Sequence, residues 1–373
     1  MKAHVQEQEL AGLPWLVVAG SRDQVFHRLG DVTRSEARAA AEPDADDEEF
    51  RAWVNDGSGA ERLARLAAAT RRRFARPWAE LAAMAGGAGV PEEELVLLNL
   101  RGDLGAQDDG GCSTLAWRRR GVFLAHNEDA FPHAVARLRV VTLAIDGEVP
   151  VTALWYPGLL TANAFAVNGH GLVWGVNHIP VLRPDLSGSG RHFVARAMQQ
   201  AASPQEAVTH LHRHASAGGY AHTIGSGPQG PVRVVEAAAG QVAEVEARAD
   251  HPLHWHTNHL RHLPDPPDLP VPNGGTPASG TGTSRTESHT RGRVLAALPV
   301  PGQEPSTEWF LRILTSPAPS GGVLRTAVGG DPLRTVCSVV ADLSARILTV
   351  RGPEGKAVAL LLDEFAHGRH TSA

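Results

Sequence analysis

The chain changes character at Gly110-Gly111-Cys112, where mainly helical patterns give way to a long series of strand patterns opened by Ser113-Thr114-Leu115-Ala116-Trp117. A thiol behind two glycines and directly before a strand constrains the chain strongly. Glycine adopts backbone angles closed to other residues, and here it leaves the Gly111 carbonyl open to the adjoining sulfur. Further on, Ala125-His126-Asn127-Glu128-Asp129 supplies a polar cluster at the far end of an expected hairpin, so a thiol, an amide and a carboxylate meet at one strand edge.

Before the cysteine, Leu13–Gly20 reads as a short buried strand, and Val25, Leu29 and Val32 recur at helical spacing behind Ser21, a suitable N-cap. The acidic run 43–49 reads as a solvated linker or helix start. From Ala60 to Ala85 the composition is strongly helical, with Gly86-Gly87 expected to stop it. Pro91 should then sit in the first turn of another helix, with Glu92, Glu93 and Glu94 placed well against its dipole.

After the cysteine, Val122–Ala125 and Val141–Ile145 are strand-like, and Asp146-Gly147 and Asn168-Gly169 are hairpin turn signals. A helical stripe over 191–202 is followed by Ser203-Pro204-Gln205-Glu206, a capping box opening a second helix to about His214. Strands return at Tyr220–Ile224, Val232–Ala237, Val242–Glu246 and before His256. The stretch 262–284 reads as a long loop, helices are expected from Glu287 and over 306–314, and a terminal hairpin joins 335–342 to 346–350. Antiparallel strands bracketed by helices from both halves predict an α+β fold, two stacked sheets with helices outside them.

On Gly111-Cys112-Ser113-Thr114, Asn127-Glu128-Asp129, Asn168–Asn177 and His256–His259, the chain resembles the acyl-CoA:6-aminopenicillanic acid acyltransferase family, peptidase family C45, among the N-terminal-nucleophile (Ntn) hydrolases. The resemblance implies the four-layer αββα sandwich of two antiparallel sheets as one composite domain. It implies self-cleavage of the Gly111–Cys112 bond into an α fragment, 1–111, and a catalytic β fragment, 112–373, that stay associated. Cys112 would be the nucleophile and its freed α-amino group the base. Asp129 would hold that pair in its reactive protonation state, Asn127 would orient the network, and Asn258 would donate a side-chain N–H to the oxyanion. Ser288 and Arg291 fall on the family's serine and arginine, although Arg285 and Arg293 stand close enough to leave the arginine's identity open.

An N-terminal cysteine suits acyl transfer, because a thiol near ~8.5 and an α-amino group near ~7.7–8.0 exchange a proton close to neutral pH. The expected activity is hydrolysis or acyl transfer on a linear amide through a Cys112 thioester. An acyl-CoA-dependent N-acyltransferase of the same fold is the alternative. A reading from another class is a histidine-rich metal-binding protein using His251, His254, His256, His259 and His262, whose spacing fits no common zinc pattern. Cys337, inside a strand, is expected to be a core residue without polar neighbours.

A net charge of −5, from 35 basic and 40 acidic residues with scattered arginines, argues against a nucleic-acid partner. No stretch approaches the roughly 18 apolar residues of a membrane span. A cytoplasmic protein needing no cofactor or metal is expected, acting on a small amide or acyl-CoA, its oligomeric state open.

Overall fold

The computed structural model describes residues 3–42, 48–105, 110–264, 281–328 and 330–370, the side chains of 110 and 281–285 excepted. Two sheets are formed, with strands numbered along the chain. Sheet one runs β1 (His4–Leu10), β2 (Leu13–Gly20), β5 (Arg139–Ile145), β6 (Val151–Trp155), β7 (Ala166–Asn168), β8 (Leu172–His178), β9 (Gly219–Ser226), β10 (Val232–Ala238) and β11 (Gln241–Ala247). Sheet two runs β12 (Leu253–His256), β3 (Gly110–Arg118), β4 (Val122–Ala130), β13 (Arg334–Asp342), β14 (Ile347–Arg351) and β15 (Ala357–Leu361).

Period-two alternation decides which side each strand buries. On β2, Leu13 and Trp15 enter the core between the sheets with Leu154, Phe165, Val173 and Val339, whereas Leu16 and Val18 enter the core beneath the helices. Those helices are α1 (Arg22–Val32), α2 (Arg34–Ala41), α3 (Glu48–Val54), α4 (Gly57–Arg73), α5 (Ala75–Ala88), α6 (Glu92–Leu100), α7 (Arg191–Met198) and α8 (Pro204–Arg213). On the far side α9 (Thr281–Ala296) and α10 (Thr307–Thr315) cover sheet two, where Phe310 and Leu314 pack on Leu115, Trp117 and Val340. A short α11 (Leu362–Ala366) follows β15. The result is the expected four-layer αββα sandwich.

Among the described residues the named strands pair antiparallel, except β2 and β5, which run parallel. Parallel neighbours need a long crossover, and here the chain makes α1 to α6 and the β3–β4 hairpin of the other sheet before returning. Segments on both sides of residue 111 therefore share sheet one and its cores.

Three local expectations are corrected. The helix over 60–85 is two helices broken at Phe74 (φ −122°, ψ 51°), and it continues through Gly86-Gly87 to end at Gly89 in the left-handed region (φ +63°). The glycines serve packing instead of termination: a Cβ on Gly87 would lie 1.8 Å from the His27 carbonyl oxygen, and one on Gly30 would lie 2.0 Å from that of Met84. Helices α1 and α5 cross that closely only because both side chains are missing. Pro91 is the N-cap of α6, not part of its first turn. The acidic run lies mostly, and the long loop largely, outside the described residues.

Candidate active site

The β3–β4 register sets Cys112 opposite Glu128, Gly111 opposite Asp129, Ser113 opposite Asn127 and Thr114 opposite His126. Successive side chains take opposite faces. Cys112, Thr114, His126 and Glu128 thus point towards sheet one, while Ser113, Asn127 and Asp129 point towards α9 and α10.

On the helix side, polar groups enclose the backbone of Cys112. Its N–H donates to Asn258 Oδ1 at 3.0 Å. Arg291 on α9 donates to the Cys112 carbonyl at 2.6 Å, to Ser113 Oγ at 2.8 Å and to Asn258 Oδ1 at 2.9 Å. Glu287, one turn earlier, accepts from Arg291 Nε at 2.6 Å. Ser288 Oγ accepts from the Asn258 backbone N–H at 2.7 Å and sits 2.8 Å from His259 Nδ1, which anchors the loop leaving β12. Burial, then the neighbouring His289, holds His259 down to about 3, so its ring is neutral.

Asp129 is fully buried and accepts from Thr335 Oγ1 at 2.7 Å. Its other oxygen has no hydrogen-bond partner and lies 3.9 Å from Arg291 and 4.0 Å from Arg325. Burial raises the carboxyl to about 6, against the pull of Arg325 and Arg291.

On the sheet side, Cys112 Sγ lies 3.7 Å from Glu128 Oε2, which in turn lies 3.3 Å from His126 Nε2. His126 Nδ1 meets Thr114 Oγ1 at 2.9 Å, and that hydroxyl donates to Asn177 Oδ1 at 2.6 Å. Tyr156 places a buried hydroxyl close enough to Glu128 for its charge, after burial, to push the phenol up. The Cys112 thiol is likewise pushed well up, by burial first and then by Glu128 and Asp129, while the His178 backbone N–H and Arg291 act the other way.

The structure thus brings Gly111, Cys112, Asp129, Asn258, Ser288 and Arg291 together. Asn127 shares Asp129's face but donates to the Leu314 carbonyl at 2.8 Å, tying β4 to the end of α10. Asn258 turns its oxygen, not its N–H, to Cys112, because two donors fix Oδ1; its Nδ2 donates to the His178 carbonyl at 2.9 Å. Among the three arginines, Arg291 reaches the cysteine, Arg293 is exposed and bonds Thr290, and the Arg285 side chain lies outside the described residues. Cys337 is buried as expected, yet faces Glu128 across the β13–β4 ladder, so it has a polar neighbour.

The sequence reading missed Glu128, His126, Thr114, Asn177 and Arg325. Strand alternation was the available signal for the first three, since residues sharing the face of Cys112 lie an even number of positions from it on its own strand and from its partner on the next. Arg325 stands before β13, where no periodicity marks it. Two of the five clustered histidines are held by other groups: His256 Nε2 bonds Glu236 at 2.8 Å and His259 bonds Ser288.

A two-sheet sandwich between helix layers, with a buried cysteine at the start of an inner strand, defines the Ntn-hydrolase class of fold. Within that class, residues 117–270 match the family model of acyl-coenzyme A:6-aminopenicillanic acid acyl-transferase, the family that the sequence motifs resemble. The match begins after Cys112, so the placement of the cysteine rests on the geometry above. Similar solved structures include a mutant of conjugated bile acid hydrolase from Clostridium perfringens, 12% identical over 70% of this chain and 96% of that one with a TM-score of 0.41. A second variant of that hydrolase, also 12% identical, gives the same coverage with a TM-score of 0.44. Penicillin V acylase from Agrobacterium tumefaciens is 14% identical over 70% of this chain and 89% of that one, with a TM-score of 0.38. No curated protein sequence matches the chain significantly. Among the described residues no helix is long and apolar enough to cross a membrane.

Proposed function

We propose that this chain is an Ntn acyl amidase or acyltransferase that matures by cutting its own Gly111–Cys112 bond and then uses Cys112 as an N-terminal nucleophile. The observation that carries the reading is the 3.0 Å hydrogen bond from Cys112 N to Asn258 Oδ1. Asn258 and Arg291 hold the backbone nitrogen and carbonyl of residue 112 from one side, and the sulfur stands apart on the other face. A core cysteine needs no such cage around its main chain; a residue whose nitrogen is to become a catalytic amine does.

Gly111 fits a leaving position. A Cβ there would sit 2.4 Å from Arg325 Nη1, so no larger residue enters without displacing the guanidinium. In maturation Glu128, the carboxylate within reach of Sγ, takes the thiol proton, and the sulfur attacks the Gly111 carbonyl carbon. The peptide C–N bond breaks, the nitrogen leaves protonated, and water hydrolyses the resulting thioester. Departure of Gly111 vacates the position across the ladder from Asp129, next to its unbonded oxygen.

In turnover the freed amine, held by Asn258 Oδ1, takes the thiol proton as sulfur adds to the substrate amide. That proton passes to the leaving amine, and the acyl thioester is discharged to water or to an acceptor amine. Intact-mass analysis tests the scheme. Two fragments meeting at Gly111/Cys112, with Cys112→Ala remaining one inactive chain, are expected. A normally cut Cys112→Ala protein, or a fully active uncut wild type, overturns it.

A further inference from the structure

We propose that Cys112, His126 and Glu128 form a buried binding site for a single zinc ion, which switches the nucleophile off by taking its sulfur as a ligand. Among the described residues these three are the one set of histidine, cysteine and carboxylate side chains whose donor atoms converge, all within 4.8 Å of one another. The site lies in the catalytic pocket, but its existence does not depend on self-cleavage.

Two of the three separations fit the ion. With bonds of ~2.3 Å to sulfur and ~2.0–2.2 Å to nitrogen and oxygen, a tetrahedral zinc spaces its ligand atoms about 3.3–3.6 Å apart. Glu128 Oε2 lies 3.3 Å from His126 Nε2 and 3.7 Å from Cys112 Sγ. The third pair, Cys112 Sγ and His126 Nε2, lies within 4.8 Å and closes by side-chain adjustment.

The hydrogen-bond chain behind His126 argues the same way. Asn177 Nδ2 donates to the His256 carbonyl at 3.4 Å, which leaves Oδ1 to accept from Thr114 Oγ1 at 2.6 Å. Thr114 has then used its proton, so it accepts from His126 Nδ1–H at 2.9 Å. In a neutral ring Nε2 consequently presents a lone pair to a carboxylate oxygen, an arrangement that calls for a cation between them. A ring N–H held by a hydrogen-bond acceptor on the side away from the ion is also how metal-bound histidines are usually oriented. Tyr156 places a further buried hydroxyl beside Glu128. Soft thiolate, imidazole and carboxylate together select zinc over magnesium or calcium. On binding, the thiol proton is released and one bond each to sulfur, nitrogen and oxygen forms.

The test is titration of the metal-free full chain with Co²⁺, read as the thiolate-to-cobalt charge-transfer absorption, and with Zn²⁺ against a colorimetric chelator. One equivalent is expected, with the charge-transfer band absent in Cys112→Ser and zinc affinity down at least 10-fold in His126→Ala and Glu128→Gln. Thr114→Val, which removes only the hydroxyl that holds His126 Nδ1, should weaken binding roughly 10- to 100-fold, and His254→Ala should leave it unchanged. Zinc should also protect Cys112 of the wild type from iodoacetamide, a readout that needs no variant to fold. Absence of the band and of protection overturns the proposal, as does zinc binding that survives Cys112→Ser and is lost with His254→Ala.

Discussion

The backbone nitrogen of Cys112 donates to Asn258 Oδ1 at 3.0 Å, joining the start of β3 to the loop after β12. The same oxygen accepts from Arg291, so one side-chain carbonyl orients both the backbone nitrogen of residue 112 and the guanidinium that grips the adjoining peptide.

Asn258→Ala removes that acceptor. A hydrogen bond to a charged group contributes about 1.5–3 kcal/mol, so maturation followed by intact mass should slow roughly 10- to 100-fold. Asn258→Asp, which keeps the acceptor, should mature faster than Asn258→Ala; equal rates would detach the oxygen from any role at Cys112.

Gly111→Ala should block cutting by steric conflict with Arg325, whose Nη1 lies 2.4 Å from the new methyl position. Combining it with Arg325→Ala should restore part of the cleavage, a double-mutant cycle readable by gel. Failure of the second substitution to help would mean that the guanidinium is not the obstacle.

Arg291→Lys should behave as a loss of function despite keeping the charge. A single ammonium cannot reach the Cys112 carbonyl, Ser113 Oγ, Asn258 Oδ1 and Glu287 at once, and acceptors buried without donors cost about 1–3 kcal/mol each. A fall in Tm and loss of maturation together are expected; a lysine variant with wild-type values of both would contradict the cage.

Acid stability should reflect Glu236. His256, foremost, and the backbone N–H groups of Leu263 and His262 hold its carboxyl down to about 2 against burial. A depressed folded-state pKa contributes stability above the unfolded value and loses it as pH falls through the folded one, here between about 4.5 and 2. Glu236→Gln should lower Tm at neutral pH and flatten its decline in that window, measured by thermal melts across pH.

Neighbouring glycines of α5 should respond oppositely to alanine. At Gly86 the nearest atom to a new Cβ is a His27 ring carbon at 4.0 Å, whereas at Gly87 it is the His27 carbonyl oxygen at 1.8 Å. Gly86→Ala should gain about 0.5–1 kcal/mol from helix propensity, and Gly87→Ala should destabilise by more than that. Thermal melts of the two variants decide it.

Much of this molecule was legible in its residues. Local alternation and turn chemistry marked strands β2, β5, β9, β10, β11 and β13 nearly to their ends, and Ser203 caps α8 through Glu206 N–H at 3.2 Å as its motif predicts. Strand β1 escaped because its polar HVQEQEL pattern has only Leu10 fully buried. The helix stop expected at Gly86-Gly87 failed because glycine in a helix reports either a terminus or a close crossing, and only the partner helix tells which.

What the sequence determined by itself was therefore what depends on near neighbours: element type, the hairpin holding Cys112 and Asp129, and a cysteine set behind glycines. The tertiary structure alone decided that Asn258 offers its oxygen, that Arg291 and not Arg293 reaches Cys112, and that Glu128 and His126 stand at the sulfur. Those choices are set by which donor meets which acceptor across two sheets and a helix. Such pairings span more than a hundred residues, and no local pattern of hydrophobicity or turn propensity encodes them.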